Sequence, residues 1–583
     1  MNPHGSERVN IPFEEVWFVD FEFRADDGER PSPVCMVALE LKSGREIRLW
    51  GDDLITLKQA PFNTGPAALF VAFYNSAEMG CFLELNWPLP ENILDLFVEH
   101  RVDTNGMSNI PGNSLLHALA YRGLAHIDAV EKESMRNLVC SQTEWSKSEK
   151  LQILDYCASD VRGLAALFPV MATSIDWPRA LVRGRYMAAV ARMERTGVPI
   201  DQNFHRAMVD NWENLKIHLI ADVNAVFGVY EGTTFKSERF VQYLSAQGIP
   251  WPRHLTGALR LDDETFHDQV KRSPILRPLY ELRTTLSGLR LTGLTVGSDG
   301  RNRCLLSPFR AITSRNQPST TKFIFGPAKW MRGLIKPPEG FGLAYIDFSS
   351  QEIGIAAALS GDELMMKGYQ DGDPYLAFAK EAKLVPGDAT KKSHKEIRDR
   401  CKTVVLGVNY GMGPDSLAAM AGITVTEAKE LLRIHRNTYR KFWRWMENTL
   451  SAAMLTSGLR TVFGWRQQIG KESNPRSLMN FPMQANGAEM MRMAAIVATE
   501  SGIEVCAPIH DAFLIMAPLH RLDDDVTKMQ EIMTAAGRLV TGGLDIRTEA
   551  EIVRWPDRYM DERGQTMWES VVRFLNGLEG AAA

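Results

Sequence analysis

Leu343-Ala-Tyr-Ile-Asp347-Phe-Ser-Ser-Gln-Glu352-Ile-Gly-Ile-Ala-Ala-Ala-Leu-Ser-Gly361 opens as a short apolar run of the kind that forms a buried strand and reaches an acid at Asp347. Ser349 then stands three residues before Glu352, with Ile353, Ile355 and Leu359 following, the pattern of a capping box and an apolar-faced helix. The reading is a strand whose tip carries Asp347, with a helix turning away behind it. A carboxylate at such a tip faces an opening, where it serves either as a turn former or as a metal-binding acid. The rest of the chain decides between the two.

At 583 residues the chain exceeds one hydrophobic core, so two to four domains are expected. With 45% apolar and 23% charged residues, the composition is that of an ordinary globular protein. Residues 1–8 carry no apolar leader core and no apolar run is long enough to span a bilayer, so a cytoplasmic location without a membrane partner is expected. Seven cysteines without a C-x-x-C pair argue for a reducing compartment and against a structural zinc or a disulfide framework. The net charge of −5 leaves nucleic-acid binding to local charge distribution.

Residues from about 11 to 170 read as an α/β domain. Val16-Trp-Phe-Val-Asp20-Phe-Glu22-Phe23 has strand composition, and Asp20 and Glu22, two apart, share a face. Two like charges so close call for a cation between them, and a divalent metal suits. Strands over 34–41 and 46–50 follow, joined by a Lys42-Ser-Gly-Arg45 turn. A helix over 148–168 places Tyr156 and Asp160 on one face. Asp20-x-Glu22 and Tyr156-x-x-x-Asp160 resemble the first and third motifs of the DnaQ-like 3′–5′ exonucleases. That resemblance implies an RNase H-like fold, two divalent ions on the carboxylates, and a Tyr that orients the attacking water. The second motif departs from the family's pattern: in Phe73-Tyr-Asn-Ser-Ala-Glu-Met-Gly80, Glu78 stands where the family has an Asp. Asp95 is the competing residue.

Beyond residue 180 the chain turns helical. An amphipathic helix from Tyr186 ends at Gly197, and 202–295 reads as a mainly helical subdomain without chemistry of its own. Arg310 to Lys322, continuing through Lys329, Trp330, Arg332 and Lys336, mixes cations with Ser, Thr, Asn and Gln, which suits contacts to a nucleic-acid backbone. Ser393 and Glu396 form a second capping-box pattern. In the helix that it starts, Arg398, Lys402 and Leu406 are spaced by four, with Tyr410 a turn on, before Gly411. That face measures out a nucleotide, with triphosphate on the cations and base and sugar against Leu406 and Tyr410. A basic-aromatic helix carrying Arg433, Arg436, Arg440 and Arg444 reads as structural. Apolar strands on either side of His510-Asp511 read as a hairpin with its acid at the tip.

Two strand-tip acids could hold two metals roughly 3.5–4 Å apart, the clamp for in-line phosphoryl transfer. Asp347-Phe-Ser-Ser-Gln-Glu352, Arg398-x-x-x-Lys402-x-x-x-Leu406-Gly-x-x-Tyr410-Gly411 and His510-Asp511 resemble, in order, motifs A, B and C of the family A DNA polymerases. Arg315, Arg476, Asn480 and Gln484 resemble that family's primer and template contacts. The resemblance implies α/β and α+β domains, an exonuclease unit over 1–175 followed by a right-hand polymerase unit over 176–583. Within it the thumb falls at about 202–300, the palm at about 301–365 and 450–583, and the fingers at about 366–449. It implies two Mg²⁺ ions on Asp347 and Asp511, a triphosphate on Arg398 and Lys402, and Tyr375 and His510 near the incoming nucleotide. Glu352 then fills the space of a ribose 2′-hydroxyl. The implied partners are primed DNA template, dNTPs and replication accessory proteins, around a monomer of compact bacteriophage type. Ala512, Gly354, Tyr375 and Leu406 depart from the family's usual residues. Two rivals are a single-subunit RNA polymerase, against which Glu352 speaks, and a nuclease with a dead polymerase half, against which Asp347, Lys402 and Asp511 speak.

Overall fold

The computed structural model describes residues 11–124, 129–254, 256–287, 293–326, 329–470 and 472–582; the opening 1–8 stretch, which carries the reading of no leader, lies outside them. Aromatic and β-branched content builds the first sheet: β1 (Glu15–Arg24), β2 (Ser32–Glu40), β3 (Glu46–Trp50), β4 (Ala68–Ala72) and β5 (Ile93–Asp95). Its order is β3-β2-β1-β4-β5, antiparallel through the first three and parallel from β1 to β4 and β5. Helices α1 (Ser76–Glu84), α2 (Leu96–Thr104), α3 (Ala129–Cys140) and α4 (Lys147–Ala172) surround it. Phe18, Val37 and Leu69 pack with Leu164 and Phe168 of α4 on one face, and Trp17, Val19 and Phe70 with Phe62 and Phe82 on the other. α4 starts on a capping box, Ser146 with Glu149.

Helix α5 (Trp177–Thr196) is longer than the sequence pattern suggests and is buried nearly all round, not amphipathic. The reason is its position: α1 and β5 of the first sheet lie against one side and elements of the second half against the other. Gly197 ends it at φ +62°, as expected. Five helices between Gln202 and Ser287 form the expected helical region, with Leu215, Leu219, Phe240, Phe266 and Leu279 inside.

The second sheet holds the strand that opened the sequence reading. It comprises β6 (Phe341–Phe348), β7 (Glu504–Ile509), β8 (Ala512–Pro518) and β9 (Thr548–Arg554), in the order β7-β8-β6-β9 and antiparallel throughout. Helices α6 (Gln351–Ser360), α7 (Lys395–Asn409), α8 (Val425–Thr438), α9 (Arg440–Thr456) and α10 (Pro475–Glu500) intervene between β6 and β7. α11 (Leu522–Thr541) lies between β8 and β9. Ala344, Ile346, Phe513 and Ile515 pack toward Met490, Ala494 and Met529, while Leu343, Leu514 and Met516 pack with Trp330 on the opposite face. The last helix, α12 (Gln565–Ala582), packs on the helical region, against Trp212–Phe227.

Three local expectations are corrected. Neither Ser349–Glu352 nor Ser393–Glu396 forms a capping box. Ser350, left-handed at φ +52°, is the residue before α6 and makes no side-chain cap, and Ser349 Oγ bonds Glu549 instead. α7 begins after His394, while Ser393 Oγ is engaged with Thr390. The basic-aromatic stretch forms two helices, α8 and α9, broken at Tyr439, whose ring packs with Phe378 and His435.

Candidate active site

The β6 and β7–β8 tips are pinned together: Phe348 N donates to the carbonyl of Asp511 at 3.0 Å. His510 makes the turn at φ +50°, so Asp511 stands at the rim beside Asp347. Both acids line a cavity of 530 Å³ that α6 and α7 enclose, and Arg315, Glu352, Tyr375, Arg398, Lys402, Leu406, Tyr410 and His510 line it as well. Residues from Arg315 to Glu549, more than two hundred positions apart in sequence, are thus brought to one opening.

Burial, then the charges of Asp511 and Glu549, raises the Asp347 carboxyl to about 6. Burial likewise raises Asp511 and holds the His510 imidazole below its ordinary value. Across the cavity the α7 face is cationic and then apolar, as its spacing predicts. Arg398 Nε donates to Asp373 at 2.8 Å and Nη1 to Asp399 at 3.0 Å, and its guanidinium lies 5.1 Å from the Tyr375 ring centroid. Lys402 Nζ sits 5.7 Å from the same ring. Ser350 Oγ donates to Tyr375 Oη at 3.4 Å. Glu352 reaches in from α6, where Arg315 donates to its Oε1 at 3.3 Å.

Arg476, Asn480 and Gln484 all lie on α10, outside this lining. The Arg476 side chain packs against Gly411 and Gly413, Gln484 hydrogen-bonds Tyr410, and Asn480 is buried with Oδ1 lacking a partner among the described residues. Much of the basic run after Arg310 is occupied within the fold. Arg332 is buried against Asp561 at 2.7 Å, Lys322 pairs with Asp27 at 2.6 Å, Lys336 lies 3.8 Å from Asp201, and Trp330 donates to Thr285. A buried guanidinium needs such a partner, which removes Arg332 from any nucleic-acid surface. Arg315 is the member of the run that joins the cavity.

The second acidic cluster lies on the first sheet. Asp20 and Glu22 share a face of β1, and Tyr156, Cys157 and Asp160 reach them from α4. The Cys157 thiol donates to the Asp20 carbonyl and carboxylate, each at 3.3 Å. Burial, then the Asp160 charge, raises Asp20 to about 7, and burial with the Asp20 charge raises Glu22 well above the carboxylate range. The two candidates for the second motif differ in their surroundings. Asp95 caps α2: its carboxylate accepts the backbone N–H groups of Tyr74, Asn75, Phe97 and Val98 at 2.7–3.3 Å. Glu78 is buried on α1 and raised by burial and by Asp20, and its Oε2 has no hydrogen-bond partner among the described residues. A buried carboxylate without a hydrogen-bond partner, near other acids, has the chemistry of a cation ligand.

Sequence reasoning missed Lys132, whose Nζ donates to Asp160 at 2.8 Å from α3. It also missed Cys157 and Glu549. Each meets its cluster through a long-range contact that no local spacing announces.

Comparison with known proteins matches residues 326–553 to DNA polymerase family A. The thermostable DNA polymerase I of Thermus aquaticus is 27% identical over 373 residues, covering 59% of this chain and 44% of that enzyme. The DNA polymerase of Mycobacterium phage D29 is 23% identical over 492 residues, covering 78% of this chain and 77% of the phage protein. The chain thus spans less than half the length of the Thermus enzyme. Among solved structures, the POL domain of Pol1 from M. smegmatis, in complex with DNA primer-template and dNTP, is similar in fold. Its TM-score is 0.70 at 17% identity, over 92% of this chain and 95% of that one.

Proposed function

We propose that this chain, which matches DNA polymerase family A over residues 326–553, is a template-directed DNA polymerase that extends a primer 3′ end with dNTPs. The observation that carries the proposal is the meeting, in one cavity, of Asp347 and Asp511 with Arg398, Lys402, Glu352 and Tyr410. In this reading 176–583 is the polymerase unit, with thumb, palm and fingers divided as the sequence suggests. Primed DNA template is the partner, in the cytoplasm of a bacterial or phage-infected cell.

Asp347 and Asp511 would hold two Mg²⁺ ions, which supply charge neutralisation to the transferring phosphoryl group and acidify the primer 3′-hydroxyl. The residue pair fits, because burial raises the proton affinity of both carboxylates and the Asp511 charge raises that of Asp347 further. Arg398, fixed by Asp373 and Asp399, and Lys402 present donors to the triphosphate. Leu406 and Tyr410 offer the surface for sugar and base, and Glu352 denies room to a 2′-hydroxyl. Arg315, Arg476, Asn480 and Gln484 serve the primer and template. Tyr375 and His510 stand beside the incoming nucleotide.

We further propose a 3′–5′ exonuclease within 1–175. Asp20, Glu22, Asp160 and Glu78 would hold two divalent ions there, which supply the activated water and the leaving-group stabilisation. Tyr156, hydrogen-bonded to Asp160, would orient the water. The orphaned oxygen of Glu78 supports this reading.

Primer extension on a primed template with Mg²⁺, comparing dNTPs with rNTPs, tests the assignment. Asp347→Asn or Asp511→Asn should cut extension by several orders of magnitude and leave digestion of a mismatched 3′ end intact. Normal extension by Asp511→Asn overturns the assignment of the strand-tip acids.

A further inference from the structure

Asp347 has two cross-strand neighbours, and only one is an acid. In the β6–β8 register it opposes Ala512, and in the β6–β9 register it opposes Glu549. Directly opposed residues of antiparallel strands share a face, with Cβ atoms about 4.5–5.5 Å apart. Glu549 therefore projects over the same opening as Asp347, and it lines the same cavity. Ser349 Oγ, at the end of β6, donates to Glu549 Oε1 at 2.8 Å and holds the side chain along the strand tips.

The charge balance is uneven. The cavity's ion pairs among the described residues join Arg315 to Glu352 and Arg398 to Asp373 and Asp399. They leave Asp347 and Glu549 without an ion pair among the described residues, while Asp511 feels only the more distant charges of Arg315 and His510. Glu549 is exposed at the open end of the edge strand, and of the two residues that oppose Asp347 it alone adds a carboxylate to the cavity. Like charges directly opposed across two strands destabilise a sheet unless a cation comes between them.

We propose that Glu549 is the third carboxylate of the divalent-ion site at the strand tips. It supplies from β9 the acid that Ala512 does not supply from β8. Its effect on extension rests on the polymerase reading above, whereas its effect on ion binding does not.

The test uses the full chain carrying Asp20→Ala, chosen to weaken ion binding at the first-sheet cluster. Free Mn²⁺ is counted by electron paramagnetic resonance during titration, and extension is followed against Mg²⁺ concentration. Glu549→Gln should raise the Mn²⁺ dissociation constant and the half-saturating Mg²⁺ by about tenfold, as expected for losing ~1.4 kcal/mol of ion affinity. Glu549→Asp should recover part of both, and Ser349→Ala should leave the Mn²⁺ constant within twofold. An unchanged Mn²⁺ constant in Glu549→Gln, with an unchanged melting temperature, overturns the proposal. If the parent protein does not extend a primer, the polymerase reading falls, and the Mn²⁺ titration alone upholds or overturns Glu549.

Discussion

Tyr410 Oη donates to Glu352 Oε1 across 3.4 Å, tying the end of α7 to the first turn of α6. Oε2 of the same carboxylate is buried and has no hydrogen-bond partner among the described residues. Both residues line the cavity, on the wall that the proposed function gives to the nucleotide sugar. Glu352→Ala should therefore raise rNTP incorporation relative to dNTP by at least about tenfold, or 1.4 kcal/mol. Tyr410→Phe should move the ratio the same way by less. Single-nucleotide kcat/KM values measure it, and an unchanged ratio in Glu352→Ala removes the sugar-gate role.

Leu406 lines the cavity one turn beyond Lys402 and lacks any polar group. A Tyr there could offer a hydroxyl in place of the contact made by the nucleotide's own 3′-hydroxyl. Leu406→Tyr should raise ddNTP incorporation relative to dNTP by at least about tenfold. A ratio that does not move places Leu406 away from the sugar.

Asp20 ties stability to pH. Its ordinary value is 3.8 and its folded value about 7, so the native state binds the proton more tightly than the unfolded chain. Without metal, stability falls as pH rises from about 4 to about 7 and is flat beyond. Asp20→Asn should thus stabilise the metal-free protein at pH 8 by roughly 1–3 kcal/mol, an advantage that vanishes below about pH 4. Urea unfolding across pH measures this. Added Mg²⁺ should stabilise the parent more than the variant, and equal gains would remove Asp20 from the ion site.

Glu78 and Asp95 should fail in opposite ways. Glu78→Gln should lose most 3′-end digestion while the fold becomes no less stable, since Gln keeps the shape of a carboxyl that burial already holds toward its neutral form. Asp95→Ala should cost roughly 2–4 kcal/mol, because four backbone N–H groups lose their acceptor. Asp95→Asn keeps one acceptor oxygen and should still digest at low temperature. If Asp95→Asn abolishes digestion without unfolding, the assignment of Glu78 is reversed.

What could be read from the sequence follows from the range of the interactions involved. Asp347 and Asp511 were legible because an apolar strand that ends in an acid is a local pattern, as is the four-residue spacing from Arg398 to Leu406. The two expected capping boxes failed for a different reason. Ser349 and Ser393 found partners in Glu549 and Thr390, and a backbone turn at Ser350 took the first cap's place. Lys132 meets Asp160, and Glu549 meets Asp347, only once sheets and helices have assembled. Cross-strand register is a tertiary fact, which no reading of neighbours along the chain supplies. Arg332 shows the converse, since a cation that looked free in sequence is consumed by Asp561.

The buried helix α5 has a consequence for how two activities would share one substrate. A Cβ on Gly184 would stand 1.8 Å from the carbonyl oxygen of Ile93, so helix and first sheet meet backbone to backbone. Arg183 and Glu99 pair beside this contact at 2.7 Å, both buried, and Asn105 Nδ2 donates to the carbonyls of Ile312 and Arg466 at 2.8 Å. Interdigitation this close leaves no slack for the first sheet to swing toward a stalled primer terminus. Under the proposed reading, the commute between synthesis and editing centres would belong to the nucleic acid. Its barrier would be the unzipping of terminal pairs, on the order of 1.4 kcal/mol per stacked step. A mispaired end, already frayed, would make the journey sooner, so the choice of what to edit would be written in the duplex and not in a hinge.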